Sequence, residues 1–301
     1  MNMTESILNY RQYLKRKNFS PLTIKNYLHR LQRFFSWVST AVELTTVAEI
    51  RLYIDYLLEK RVAPRTINCH LSSIRLFYDY LVDEENVILE NPVIAGLLLK
   101  ESRPLPRYLT DNEVEGFFRF VSNKRDFAIF MLMLRCGLRV NEIANLSLDC
   151  IDYRRSRIMV RNGKGAKDRI VFISNDAASA LAVYLQHRSV TKESRIFLAE
   201  KGRCRGKPIS VRAIQKRVEY YAKISEIPVT CHRFRHTMAT QLLNADADLV
   251  SIQEILGHTK IKTTQRYSKL SNLKVQQDYF TAMEVITERA LGNPLEESSR
   301  S

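Results

Sequence analysis

The 301-residue chain has few cysteines, no long apolar run and a shortage of acid, and each of these excludes something. Its five cysteines, Cys69, Cys136, Cys150, Cys204 and Cys231, are scattered, odd in number and form no CxxC. That pattern speaks against a disulfide framework or a zinc site and for reduced thiols in a cytoplasmic protein. No stretch approaches the ~18 consecutive apolar residues of a membrane span. The start, MNMTESILNYRQYLKRK, lacks the charged-then-apolar order of a secretory signal, so none is expected. There is no GxxxxGK[ST] loop for ATP and no carboxylate cluster for Mg²⁺. Asp and Glu total 32 against 47 Lys and Arg, giving a formal charge of +15 and a pI near 9.7. Such an excess of base implies a polyanionic partner, of which nucleic acid is the commonest; a membrane surface is the rival. What the chain does have in quantity is apolar: the 45% hydrophobic share supports packed cores, and the length suits about two domains.

The first third reads as a small helical domain. Ser20 stands as a cap and Pro21 in the first turn of a helix whose apolar positions, Ile24, Leu28, Leu31, Phe34, Phe35 and Val38, recur at helical spacing. The pattern returns 43 residues later as Pro64, Thr66, Ile67, Leu71, Ile74, Phe77, Tyr78 and Leu81. A further amphipathic run, residues 47–58, lies between the copies, so a bundle of about four helices is expected. The polar faces carry Lys25, His29, Arg30 and Arg33, and in the second copy Arg65, Asn68, His70 and Arg75. Solvated helix faces are the ordinary meaning of such rows, but the excess of base favours a surface that faces DNA. Two prolines and three basic residues then interrupt KESRPLPRYLT, and Thr110 to Glu113 form a capping box that opens the next helix. The expected organisation is a helical domain over residues 1–99, a linker over 100–107 and a second domain over 108–301.

Within the second domain, FAIFMLMLRCGLRVNEIANLSLDCI begins with a buried helix, residues 127–134, ended by Gly137. Arg139 begins the next short helix with Glu142 three positions on, either a surface pair or an arginine set to grip phosphate. Ile158 and Val160, then Ile170, Phe172 and Ser174, alternate as two strands around a Gly-rich turn, residues 162–166, that carries Lys164. Helices follow around 177–187 and 211–224, and the basic loop 201–207 reads as a phosphate contact. The whole is mainly α with a small antiparallel β-sheet: a helical N-terminal domain and an α+β C-terminal domain. Its densest chemistry lies in CHRFRHTMATQLLNADADLVSIQEILGHTKIKTTQRY. His232, Arg235 and His236 can share one helix face, and a second helix ends at Gly257. His258 follows at once, and Tyr267 lies nine residues further among Thr263, Thr264, Arg266 and Lys269. Guanidinium forks bind phosphate oxygens and an aryl hydroxyl can attack phosphorus, so the set suits a phosphodiester. The plainer alternative is a DNA-binding helix pair with capping histidines and a core tyrosine.

Four motifs in this order, GLRVNEIANL, GKGAKDR, CHRFRHTMATQLL and LGHTKIKTTQRY, resemble those of the tyrosine recombinases, the phage integrase family, and most of all its Xer-type members. The resemblance runs from about residue 5 to about residue 285, with the first third similar to the family's core-binding domain. It implies a recombinase that cuts and rejoins double-stranded DNA at a specific site. By this resemblance Tyr267 attacks the scissile phosphate to give a 3′-phosphotyrosyl enzyme and a free 5′-hydroxyl. Arg139 and Arg235 hold the non-bridging oxygens, Lys164 protonates the leaving oxygen, His232 helps activate the tyrosine and His258 donates to a phosphate oxygen. Glu142 resembles a buttress of the site. The bond energy stays in the phosphotyrosyl link, so no metal or other cofactor is implied. Tyr279, Met283, Ile286 and Ala290 lie on one helical face of the tail, stopped by Gly292 and Pro294, and residues 296–301 read as disordered. Such a helix can simply pack on its own domain; in the family the tail docks on a neighbour, which implies a homotetramer on DNA or a heterotetramer with a sister recombinase. A type IB topoisomerase and a catalytically silent DNA-binding protein are the rival functions.

Overall fold

The computed structural model describes residues 3–85, 87–88, 90–101, 107–161 and 168–257. The chain divides into two compact units, Met1–Arg103 and Pro104–Ser301. Among the described residues no helix is long and apolar enough to cross a membrane.

The first unit is built from α1 (Met3–Arg16), α2 (Pro21–Phe35), α3 (Val47–Glu59) and α4 (Pro64–Asp83). Ser20 caps α2, its hydroxyl accepting the Thr23 N–H at 3.1 Å, and Thr46 with Glu49 forms a capping box on α3. The 43-residue repeat is physical, because α2 and α4 pack on one another and Ile24, Leu31 and Phe34 are buried in step with Ile67, Ile74 and Phe77. Arg30 and Ser73, themselves 43 residues apart, meet in a 3.3 Å hydrogen bond, so equivalent positions of the two copies face each other. Tyr10, Phe77 and Tyr80 from α1 and α4 close the core with edge-on and tilted ring contacts.

The polar face of the second copy is narrower than its sequence implies. His70 points inward with 3% of its surface exposed, and its Nδ1 lies 3.0 Å from the Tyr53 hydroxyl. The repeat explains this, since His70 stands 43 residues after Tyr27, a position that packs against the core in the first copy. Burial, then the charges of Arg33, Arg30 and His29, pull its pKa down to about 4. Asn68 is also occupied: it exchanges hydrogen bonds with the Leu99 backbone at 2.9 Å each way and donates to Glu101 at 2.8 Å. In the first copy Lys25, His29 and Arg33 remain exposed.

The second unit contains α5 (Asp111–Arg119), α6 (Lys124–Arg135), α7 (Val140–Asn145), strands β1 (Ile151–Asp152), β2 (Arg157–Val160) and β3 (Arg169–Phe172), then α8 (Asn175–His187), α9 (Val211–Ile224), α10 (Cys231–Asn244) and α11 (Leu249–Leu256). The strands form one antiparallel sheet in the order β1-β2-β3. Residues Ala128 to Leu134 of α6 are all buried, which makes this helix the centre of the unit. Phe117, Phe130, Tyr221 and Phe234 join four helices through it. The capping box at Thr110 is present, with the Glu113 carboxylate accepting the Thr110 N–H at 2.8 Å.

Strand β3 carries the opposite face inward from that expected. Ile158 and Val160 are buried, but on β3 the buried residue is Val171, while Ile170 and Phe172 are 43% and 63% exposed. The register decides it: Val171 lies opposite Ile158 and must share its face, and Ile170 lies opposite Met159 on the outer one. An apolar residue at every position from Ile170 to Ile173 leaves the phase of alternation open until a partner strand sets it. Ser174 has left the strand and stands at the N-cap position of α8, its hydroxyl donating to the Asp176 carboxylate.

Candidate active site

Three segments far apart in sequence meet at the C-terminal end of α11. The first is the turn after α6, where Gly137 takes the left-handed conformation at φ 62°. A Cβ there would stand 2.8 Å from the Met238 sulfur, so both the backbone angle and the space demand glycine. The turn sets Arg139 at the N-terminus of α7, where the Glu142 carboxylate accepts the Arg139 backbone N–H at 2.7 Å and its Nη1 at 2.9 Å. Arg139 Nη2 reaches the carbonyls of Leu256 and Gly257, both at 3.2 Å.

The second segment is α10. Thr230 caps it by accepting the Arg233 N–H at 3.2 Å, and the helical period then puts His232, Arg235 and His236 on one side. The rings of His232 and His236 stack at 5.8 Å. Arg235 is 3% exposed and donates to the Gly137 and Leu256 carbonyls.

The third is the start of β3. Arg169 forks onto Glu142, Nη1 to Oε1 at 2.7 Å and Nη2 to Oε2 at 2.8 Å, while its Nε donates to the Ile255 carbonyl at 2.9 Å. Three guanidiniums therefore cap the last carbonyls of α11, the negative end of its dipole, and Gly257 ends that helix at φ 59°, ψ 51°.

The electrostatics follow from this crowding. Burial works to raise the Glu142 pKa, but hydrogen bonds from Arg169 and from the Arg139 backbone and the charges nearby outweigh it and hold the carboxyl at about 2. His232 is pulled below the usual histidine value by burial, then by Arg235 and Arg139, which keeps it neutral and able to accept a proton at neutral pH. Arg139, Asn141, Arg212, Thr230, His232 and Arg235 line a cleft of about 520 Å³. Its lining sets the arginines Arg139, Arg212 and Arg235 against the single carboxylate of Glu219, which leaves positive charge at its wall, a setting for an anion.

Of the residues singled out by sequence, Arg139, His232 and Arg235 come together with Glu142 in this cluster. Lys164 and its Gly-rich turn, His258, Tyr267 and the tail face of Tyr279, Met283, Ile286 and Ala290 lie outside the described residues, as do residues 296–301. Arg169 follows Lys164 by five positions, and Gly257 directly precedes His258. The loop 201–207 forms a tight turn around Gly202–Cys204 with Lys201, Arg203, Arg205 and Lys207 exposed, and it does not line this cleft. Sequence reasoning missed Arg169. Its signal was slight: it is the last of three consecutive charges, Lys167, Asp168 and Arg169, at the head of the apolar run 170–173.

Comparison with known proteins finds a match to the phage integrase family over residues 107–273 and to the phage integrase N-terminal SAM-like domain over residues 7–87. The tyrosine recombinase XerA of Thermococcus kodakarensis is 34% identical over 270 residues, covering 89% of this chain and 91% of that protein. The tyrosine recombinase XerC of Oceanobacillus iheyensis is 32% identical over 300 residues, covering 93% and 96%. Among solved structures, XerA recombinase is 28% identical with a TM-score of 0.54, covering 93% of this chain and 98% of that one. The Tn1549 transposon integrase, solved in complex with transposon right end DNA, has the same fold at 18% identity, with a TM-score of 0.74 and coverage of 93% and 99%.

Proposed function

This chain belongs to the phage integrase family and is a site-specific recombinase that cleaves and religates DNA, and we propose that it does so through a 3′-phosphotyrosyl intermediate on Tyr267. The observation that carries this reading is the convergence of Arg139, Arg235 and a neutral His232 on one basic cleft beside the end of α11, next in sequence to His258.

In this mechanism His232 accepts the phenolic proton as the Tyr267 oxygen attacks phosphorus. The P–O5′ bond breaks, and Lys164 returns a proton to the leaving 5′-oxygen. Arg139 and Arg235, with His258 as a further donor, take up the charge that grows on the non-bridging oxygens. A 5′-hydroxyl from another strand then attacks the phosphotyrosyl bond by the reverse steps. Bonds broken and formed are equal in number and type, so no ATP, metal or other cofactor is required.

The helical unit, with Lys25, His29 and Arg33 exposed, serves as the core-binding domain, and residues 108–301 as the catalytic domain and tail. The working assembly is a tetramer on paired DNA sites, of this chain alone or with a sister recombinase, acting in the cytoplasm. Its task is integration or excision of a mobile element, or resolution of plasmid or chromosome dimers.

The test uses the site recovered by sequencing DNA bound to the full chain in its host. A nicked duplex carrying that site is incubated with wild type and with Tyr267→Phe, without metal or ATP, and run on denaturing gels. A covalent protein–DNA band from wild type alone is expected, and the genes flanking the site identify the task. If both proteins bind and neither yields the band, even with a sister recombinase added, the silent DNA-binding reading replaces this one.

A further inference from the structure

Glu142 is shared between two arginines in unequal ways. Arg169 holds both carboxylate oxygens in a fork, whereas the Arg139 side chain touches one oxygen through Nη1 alone. Exposure is unequal too: the Arg169 side chain is 10% exposed and that of Arg139 is 23% exposed. Arg139 lines the cleft and Arg169 does not. Arg169 is also locked from behind, because its Nε bonds the Ile255 carbonyl and its Cδ sits 2.8 Å from where a Cβ on Gly257 would lie.

The Arg169 fork takes two of the roughly four acceptor sites of the Glu142 carboxylate, and the Arg139 backbone N–H and Nη1 take the others, so no room is left for a second fork. We propose that Arg169 is a positioning residue for Arg139: by saturating the Glu142 carboxylate it leaves the Arg139 guanidinium to turn from its weak backbone contacts onto the scissile phosphate. Without Arg169, the buried carboxylate takes Arg139 as its own forked partner and withdraws it from the DNA. Arg169 thus acts on the reaction without touching substrate. The proposal rests on the reading of Arg139 as a phosphate-gripping residue, and the experiment separates the two.

Single-turnover formation of the covalent complex is measured on the nicked duplex described above, with the scissile phosphate either natural or replaced by a methylphosphonate. The methylphosphonate is electrically neutral, so cleavage depends far less on a cation at the non-bridging oxygen. Arg139→Ala is the control and is expected to lose most on the natural phosphate and much less on the neutral one. Arg169→Met is expected to lose on the order of 10²-fold on the natural phosphate, a value typical of misplacing a catalytic group. Its loss on the methylphosphonate is expected to be at least about tenfold smaller, following the charge dependence of Arg139. Adding Glu142→Gln to Arg169→Met removes the charge that captures Arg139 and is expected to recover most of the rate. Should Arg169→Met fail to fold by circular dichroism, Arg169→Lys carries the same comparison, since a lysine cannot fork onto both oxygens. An equal loss on both substrates with no recovery from Glu142→Gln would mean a merely structural role and overturn the proposal, as would no loss at all. If Arg139→Ala itself fails to distinguish the two substrates, the reading of Arg139 falls, and the proposal with it.

Discussion

Among the described residues of the first unit the buried polar side chains include Ser6, Thr45, His70 and Ser73; in the second they include Arg125, Asp126 and Arg235. The surrounding sequence differs in the same sense: residues 1–103 carry 14 Lys and Arg against 11 Asp and Glu, and residues 104–301 carry 33 against 21. Among its described residues the helical unit buries no formal charge. Its inward polar atoms meet neutral groups, such as the Tyr53 hydroxyl on His70, or a partly exposed guanidinium, Arg30 on Ser73, a demand for hydrogen bonds and not for countercharge. The second unit buries formal charge. Asp126 is fully enclosed between Arg125 at 2.7 Å and Arg217 at 2.6 Å, and Glu142 between Arg139 and Arg169. Enclosed ions add little net stability over an apolar core, and removing one partner is far worse than never having had the pair. The Asp126 cluster ties α6 to α9, while the Glu142 cluster borders the basic cleft. Placing charge there buys a cation fixed in direction before DNA arrives.

The largest effect that would sharpen this contrast comes from Glu142→Ala, which leaves two enclosed guanidiniums without their carboxylate. The second unit is expected to lose about 3–5 kcal/mol. Trp37 is the single tryptophan and packs on Tyr53 and Tyr56 in the first unit, so its fluorescence reports that unit alone. In urea, far-ultraviolet circular dichroism should show an earlier transition for the variant while the Trp37 transition stays in place. A matching shift of the Trp37 signal would show the two units unfolding as one, and the contrast would lose its energetic meaning.

Acid should act next, and on the neutral core first. His70 has a folded pKa of about 4 against an ordinary 6.5, so as pH falls the unfolded chain takes up the proton before the folded one does. The first unit is therefore fully stable above pH 6.5 and loses up to about 3 kcal/mol by pH 4. Glu142, with a folded pKa of about 2 against 4.5, keeps its contribution above pH 4.5 and gives it up between there and pH 2. His232 is lowered as well, so it adds some acid sensitivity to the second unit. Urea midpoints read by Trp37 between pH 7 and pH 4 should fall steeply for wild type and stay nearly level for His70→Gln. A slope that survives the substitution would place the titrating group elsewhere.

These same features mark how far the sequence could be read. Local chemistry was legible: the caps at Ser20, Thr110 and Gly257 and Arg139 leading a helix beside Glu142 depend on neighbours within a few residues, and the repeat that buries Ile24 with Ile67 shows as one helical period written twice. Three things were not. The phase of β3 was hidden because every residue from 170 to 173 is apolar and only pairing with β2 chooses a face. His70 was assigned by its own polarity, although the repeat placed it at an inward position. Arg169 acquires its partners only when residues 142, 169 and 255 meet, and no spacing along the chain encodes that meeting.

The smallest effect tests whether the repeat is energetic as well as geometric. Ser20 and Ala63 are the same repeat position, and their backbones agree, at φ −63°, ψ 149° and φ −61°, ψ 141°. Ser20 gives the Thr23 N–H a side-chain acceptor, whereas the Thr66 N–H must turn to the Ala63 carbonyl at 2.8 Å, which also serves Ile67 at 3.1 Å. Ala63→Ser supplies the missing acceptor on a backbone already shaped for it and should stabilise the first unit by about 0.5–1 kcal/mol. Ser20→Ala should remove about the same amount. Trp37 fluorescence in urea reads both, and the second unit's transition should not move. Equal and opposite shifts would mean that the two helices start with interchangeable energetics and differ only in one hydroxyl. A loss at Ser20 without a gain at Ala63 would mean that the shared carbonyl already satisfies the start of α4, so that the copies have diverged in how they hold the same turn.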